Sequence, residues 1–237
     1  MIIDQLHSSV SAILLFGSRA RGDNGRGSDT DILLIGPPDM TKHKSIGSLS
    51  MFFYPWKKLV SDARRGDLFV CHIVQEARPV FDPQNRLEDL RSHFRLRASY
   101  ALEIAQARDF GWFLDHHGDE LSPRLLVRRI IWCIRTVLIA QSAERGTPEF
   151  APSILAAAAP PIAAELIAER HRYRIDAAMR QQFSRYMAQE GGKPPLSDGA
   201  TIEDYRALFL RTGNKVGVQT IDRGLRAFGD EDEAHYR

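Results

Sequence analysis

The hydrophobic and polar positions divide the chain into two parts with different rhythms. Up to Asp82, short apolar runs alternate with polar turns. Ile13 to Phe16 form one run, which stops at Gly17-Ser18; a basic, Gly-rich stretch from Arg19 to Ser28 follows, and Ile32 to Ile35 form the next run. Short runs of Ile, Leu and Phe bounded by Gly, Ser and Asp read as buried strands. Residues 2–9 are expected to lead in as a short helix. Gly36-Pro37-Pro38-Asp39 reads as a turn, residues 40–47 as a polar surface loop, and Ser48 to Tyr54 as a third strand. Pro55 then opens a helix that Gly66 closes. Asp67 is placed to cap a second helix, whose Phe69, Val70, Ile73 and Val74 recur at helical spacing. Arg78 to Asp82 reads as a short edge strand, where Pro79 is tolerated.

Beyond Asp82-Pro83 the period is helical. From Leu87, the positions Leu90, Phe94, Ala98, Ala101 and Ala105 advance in steps of three and four, which predicts one long helix ending near Gly118. Ser122-Pro123 supplies a cap and first-turn proline for the next helix, which runs to Gly146. Further helices are expected to about Gln189, then a loop over Gly191 to Pro195. Thr201 with Asp204 reads as the cap of a final helix reaching Phe228. The resulting division is a core over residues 1–83, a helical bundle over 84–229 and an acidic tail over 230–237.

Length and charge alter this picture only a little. A chain of 237 residues can bury two modest cores. A formal net charge of +2 suits an anionic small molecule and is too weak to argue for a nucleic-acid surface. Cys71 and Cys133 stand alone without metal-ligand spacing and read as buried thiols. No run reaches membrane-spanning length, since Arg128, Arg129 and Arg135 interrupt the most apolar helix. The expected setting is cytoplasmic, with no membrane partner.

Candidate chemistry is concentrated between Gly17 and Asp31. Residues i and i+2 of a strand share a face, so Asp29 and Asp31 project together with Thr30 opposite. Paired carboxylates repel unless a cation lies between them. A hard ion such as Mg²⁺ suits them, because it takes oxygen ligands and shares them with substrate phosphates and water. Gly17 lets the backbone turn sharply, and a helix starting at Ser18 presents free N–H groups to an anion, with Arg19, Arg21 and Arg26 adding positive potential. No Gly-Lys-Ser/Thr follows, so this is not a Walker A loop. The same residues also suit a plain strand-entry turn and helix start.

Gly17-Ser18-Arg19-Ala20-Arg21-Gly22 followed by Ser28-Asp29-Thr30-Asp31 resembles the signature of the DNA polymerase β-like nucleotidyltransferase superfamily, in particular its minimal, MNT-type branch and the aminoglycoside nucleotidyltransferases. The resemblance implies an α+β fold: a small mixed-sheet core with flanking helices, followed here by an all-α bundle. It implies that Gly17 and Ser18 hold the triphosphate, with Arg19, Arg21 and Ser28 completing the nucleotide-binding set. Asp29 and Asp31 would be the catalytic metal ligands for two Mg²⁺ ions, for which Mn²⁺ can substitute. A third carboxylate belongs on the strand around residues 48–54, where the alignment brings Ser50; no Asp or Glu lies between Asp39 and Asp62. Asp67 and Glu76 are the nearest substitutes, and neither lies on that strand. The expected activity is transfer of a nucleoside monophosphate from an NTP, ATP foremost, to a hydroxyl on a protein side chain or small molecule. Two alternatives stand beside it: a catalytically inactive binding module on the same fold, and a toxin modifying RNA ends. The acceptor, and whether the chain forms a homo-oligomer, are left open.

Overall fold

The computed structural model describes residues 10–25, 27–36, 41–172 and 174–225. The expected helix over residues 2–9, the tail over 230–237 and Arg26 lie outside these. The described residues form two compact units that divide between Ala98 and Ser99.

In the first unit the strands are β1 (Ala12–Phe16), β2 (Thr30–Ile35), β3 (Lys42–Ile46), β4 (Leu49–Tyr54) and β5 (Arg78–Phe81), in the sheet order β3-β4-β2-β1-β5. The sheet is mixed: β2 and β4 run parallel, while β1 pairs antiparallel with β2 and β5, and β3 antiparallel with β4. Its helices are α1 (Ser18–Arg21), α2 (Trp56–Arg64), α3 (Leu68–Glu76) and α4 (Arg86–His93). One face of the sheet is sealed. Ala12, Leu14 and Phe16 of β1 and Leu33 and Ile35 of β2 are buried against Leu59 and Ala63 of α2, Val70, Ile73 and Val74 of α3, and Leu87 and Leu90 of α4. The period-two alternation of β1 and β2 explains this, because every second side chain meets the helices.

Three expectations are corrected here. Residues 42–46 are a strand, not a loop. KHKSI has no apolar pattern because β3 is an edge, where solvated lysines also discourage pairing with another chain. The core does not end at Asp82-Pro83. The Asp82 carboxylate accepts from the N–H groups of Arg86 and Leu87, starting α4, and Leu87 and Leu90 complete the core of this unit. Nor does one helix run from Leu87 to Gly118. The chain leaves helix at Phe94, and the Arg95 N–H donates to the Ala63 carbonyl at the end of α2.

The second unit contains α5 (Ala101–His117), α6 (Pro123–Glu144), α7 (Pro152–Ala158), α8 (Pro161–Ala168), α9 (Ala177–Glu190), α10 (Ile202–Thr212) and α11 (Lys215–Gly224). Its core joins Phe110 and Phe113 of α5 to Phe209 and Tyr205 of α10, beside the buried Val127, Ile130 and Ile134 of α6. Ala101 and Ala105 are exposed; the buried stripe of α5 is Ala107, Phe110, Phe113 and Leu114. The Glu144 carboxylate accepts from the Ser99 hydroxyl and the Tyr100 N–H, fixing the start of α5. Thr201 and Asp204 form the reciprocal cap foreseen for α10. The final helix is split: Gly213 takes a left-handed conformation, and Asn214 caps α11 by accepting from the Gly217 N–H. Among the described residues no helix is long and apolar enough to cross a membrane.

Candidate active site

The candidate site is built where β1 ends and β2 begins. Phe16, the last residue of β1, is paired with Asp31, and Asp31 is paired in parallel register with Ser50 of β4. Paired residues of neighbouring strands point to the same face. Asp31 and Ser50 therefore lie at one end of the face that carries Leu33 and Phe52. Ser50 is 5% exposed. Asp29 sits just before β2, where the Thr30 N–H donates to the Ser48 carbonyl at 2.7 Å. It precedes Asp31 by two residues and lies one residue outside the strand.

Gly17 makes the turn between β1 and α1 with φ +72°, a backbone region that side chains disfavour. A Cβ at this position would lie 2.8 Å from Asp31 Oδ2. Glycine is thus required twice, for the turn and to let the carboxylate lie against the main chain. The Ala20 and Arg21 N–H groups both donate to the Gly17 carbonyl, which starts α1 at Ser18. The intrahelical ladder leaves the first-turn amides of Ser18 and Arg19 without partners of its own. Gly22 closes α1 in a left-handed conformation.

Ser28 organises the loop that follows. Its hydroxyl accepts from the Gly25 N–H at 3.0 Å, and its carbonyl accepts from Arg19 Nη2 at 3.1 Å. Arg19 and Ser28 are therefore brought together at an exposed rim. Arg21 points elsewhere. Its Nη1 lies 2.5 Å from Glu76 Oε2 on α3, and its Nε 3.1 Å from Asp23 Oδ2. Burial pulls the Arg21 guanidinium down, and the Asp23 hydrogen bond and the charge of Glu76 outweigh it, leaving the group above the ordinary arginine value. His72 Nε2 meets the same Glu76 oxygen at 2.7 Å, and its ring packs edge-on against Phe16 at 5.4 Å.

Neither substitute carboxylate stands in for Ser50. Asp67 caps α3, accepting from the Phe69 and Val70 N–H groups at 2.9 and 3.1 Å, and Glu76 is shared by Arg21 and His72. No group of three His, Cys, Asp or Glu side chains converges as a metal site among the described residues. What remains is an all-oxygen set of two carboxylates with a serine beside one of them. That set suits a hard cation that draws the rest of its shell from phosphate and water. The Arg21–Glu76–His72 cluster escapes sequence reading because Arg21 and Glu76 meet across 55 positions; the polar pair His72 and Glu76 at i and i+4 on a mostly apolar helix is a local sign. Both cysteines are buried, and burial pushes the Cys71 thiol up to about 12, so neither is a poised nucleophile.

Residues 2–81 match the family model of the nucleotidyltransferase domain. That stretch is a nucleotidyltransferase domain of the polymerase β-like superfamily. Among solved structures, a nucleotidyltransferase-like protein from Exiguobacterium sibiricum is similar over 91% of this chain and 75% of its own, at 15% identity and a TM-score of 0.32. No curated protein matches the chain. The nucleotidyltransferase domain spans the whole strand–turn–strand unit from Ala12 to Ile35 and runs to Phe81, the last residue of β5. A domain of this kind supports nucleotidyl transfer as the general function.

Proposed function

We propose that the protein is a Mg²⁺-dependent nucleotidyltransferase that moves a nucleoside monophosphate from an NTP, ATP foremost, to a hydroxyl of a protein side chain or small molecule. The observation that carries this reading is the contact geometry of Gly17 and Asp31. A glycine that a close carboxylate and a sharp turn both require stands at the position to which the sequence resemblance assigns triphosphate binding. Asp29 and Asp31 would hold the cation, which when bound neutralises phosphate charge and orients the triphosphate. The Gly17-Ser18 turn would receive the phosphates. Arg19, at the open rim, is better placed than Arg21 to offset charge on the departing pyrophosphate. In the reaction the acceptor oxygen bonds to the α-phosphorus, the bond to the bridging oxygen breaks, pyrophosphate leaves with that electron pair, and the acceptor proton passes to solvent.

A second reading is favoured by one observation, the buried Ser50 beside Asp31. It takes the domain as a nucleotide-binding module that no longer turns over. Incubation with each α-labelled NTP, Mg²⁺ or Mn²⁺ and a cell lysate separates the two. Label in protein or small molecules, absent with the Asp29→Ala/Asp31→Ala variant, is the expected result. Label in RNA alone would replace the proposed acceptor with RNA ends. No label, with nucleotide binding intact by calorimetry, would establish the non-catalytic module.

A further inference from the structure

The proposed nucleotide turn hangs on very little of its own structure. Helix α1 is four residues long, too short to hold itself by its hydrogen-bond ladder. Gly17 before it and Gly22 after it both take positive φ, and Asp23 to Gly25 are exposed loop. Something outside the segment must fix it. Among the described residues, two contacts from α1 to the packed elements qualify: Ala20, 1% exposed, and Arg21, whose guanidinium reaches α3, whereas Arg19 bonds only to the Ser28 carbonyl in the adjoining loop.

Arg21 has the features of a tether. Its side chain is 16% exposed and that of Glu76 is 11% exposed, so the pair is held away from most of the solvent. Ion pairs of this kind are strong when broken, because the remaining charge is left poorly solvated. Two of the faces that a guanidinium offers, Nε and Nη1, are already given to Asp23 and Glu76. A phosphate would have to compete with both carboxylates. Glu76 is fixed in turn by His72, one helical turn before it, and His72 packs on Phe16, the residue that precedes Gly17. Glu76 thus grips the turn from both ends: through Arg21 at the end of α1, and through His72 at the end of β1.

We propose that Glu76 is a positioning residue for the nucleotide site, clamping Arg21 so that the Gly17–Gly22 segment keeps its phosphate-receiving form, and that Arg21 serves as the tether and not as a phosphate ligand. This rests on the reading of that turn as the triphosphate site, and it reassigns one of the basic residues that the sequence pattern placed there. It also gives Glu76 a role other than the missing third carboxylate.

The test combines two readouts on Glu76→Gln, Arg21→Gln and the double variant. Amide hydrogen exchange of residues 17–24 is measured on the free protein, and binding of Mg²⁺-ATP by calorimetry. Exchange in that segment should rise at least about tenfold in each variant, while exchange of the β1 and β2 amides stays unchanged. Nucleotide affinity should fall about tenfold in either single variant, and the double should be no weaker than the worse single, because both substitutions break one link. Arg19→Gln serves as the contrast: it should weaken nucleotide binding without quickening exchange at 17–24. Unchanged exchange in Glu76→Gln overturns the proposal. So does a double variant whose loss is the product of two independent losses, since Arg21 would then touch phosphate directly. Exchange that responds as expected in a protein whose wild-type form binds no nucleotide would uphold the tether and overturn the proposed function instead.

Discussion

Ser50 is the residue on which activity and stability meet. Its neighbour Asp31 lies one strand away, about 5 Å between backbones. A carboxylate at Ser50 would form a third negative charge beside Asp29 and Asp31. Two unit charges near 4 Å interact by about 4 kcal/mol at an effective dielectric of 20. Serine avoids that repulsion, so this end of the sheet needs no counter-ion to offset a third carboxylate. The Ser50→Asp variant should accordingly lose about 2–4 kcal/mol of stability without divalent metal. Millimolar Mg²⁺ should restore most of the loss, while the wild type responds weakly. Thermal unfolding with and without Mg²⁺ checks this, and a loss that ignores Mg²⁺ would show that Asp29 and Asp31 do not form a cation site. Serine at position 50 could be read directly from the sequence. Its alignment with Asp31 could be drawn only as a family expectation until the parallel register of β2 and β4 was known.

At the scale of elements, α3 shows a cap and a half-buried charge in one residue. Burial pushes the Asp67 carboxyl up, hydrogen bonds from Val70 and Phe69 pull it down, the charge of Asp62 pushes it up again, and the net is above the ordinary aspartate value. A carboxyl whose pKa is raised on folding is held more tightly as the acid in the folded chain. Its ionisation therefore weakens the fold as pH rises from its unfolded to its folded pKa. Asp67→Asn keeps the cap acceptor and removes the charge. It should be at least as stable as wild type at pH 7, with the advantage shrinking toward pH 4. Asp67→Ala loses the cap as well as the charge and should be weaker than Asp67→Asn by about 1 kcal/mol at either pH. Urea midpoints at the two pH values decide the matter. This cap was legible because Asp67 directly precedes the apolar period of α3. Strand β3 was not, because an edge strand need not alternate. The break between α4 and α5 was hidden for a similar reason. Ala98, Ala101 and Ala105 keep helical spacing without being buried, and what ends the helix near Phe94 is a bond to Ala63, remote in sequence. The Gly213-Asn214 break between α10 and α11 did carry a local signal, a glycine stop followed by an asparagine cap.

For the whole molecule, the same division between local and distant determines what the first unit needs in order to fold. The Gly17 turn and the Asp29–Asp31 pair lie in one short stretch, so their pairing is written in neighbouring residues. The closure of the core is not, because it depends on α4, beyond the apparent Asp82-Pro83 boundary. Leu87 and Leu90 are 3% and 0% exposed and pack on the same cluster as Leu59 and Ile73. Burying each leucine contributes about 1.5–3 kcal/mol. Removing both, and baring the surfaces they cover, approaches the whole stability of a small domain, about 5–15 kcal/mol. The Asp82 carboxylate would also lose the Arg86 and Leu87 N–H groups it accepts from. A fragment ending at Ala98 should therefore unfold in one cooperative transition, followed by circular dichroism at 222 nm. A fragment ending at Pro83 should show no such transition and should bind hydrophobic dye. Equal cooperativity in the two fragments would mean that α4 only decorates the sheet, and that the boundary suggested by the change of hydrophobic period at Asp82-Pro83 is the physical one after all.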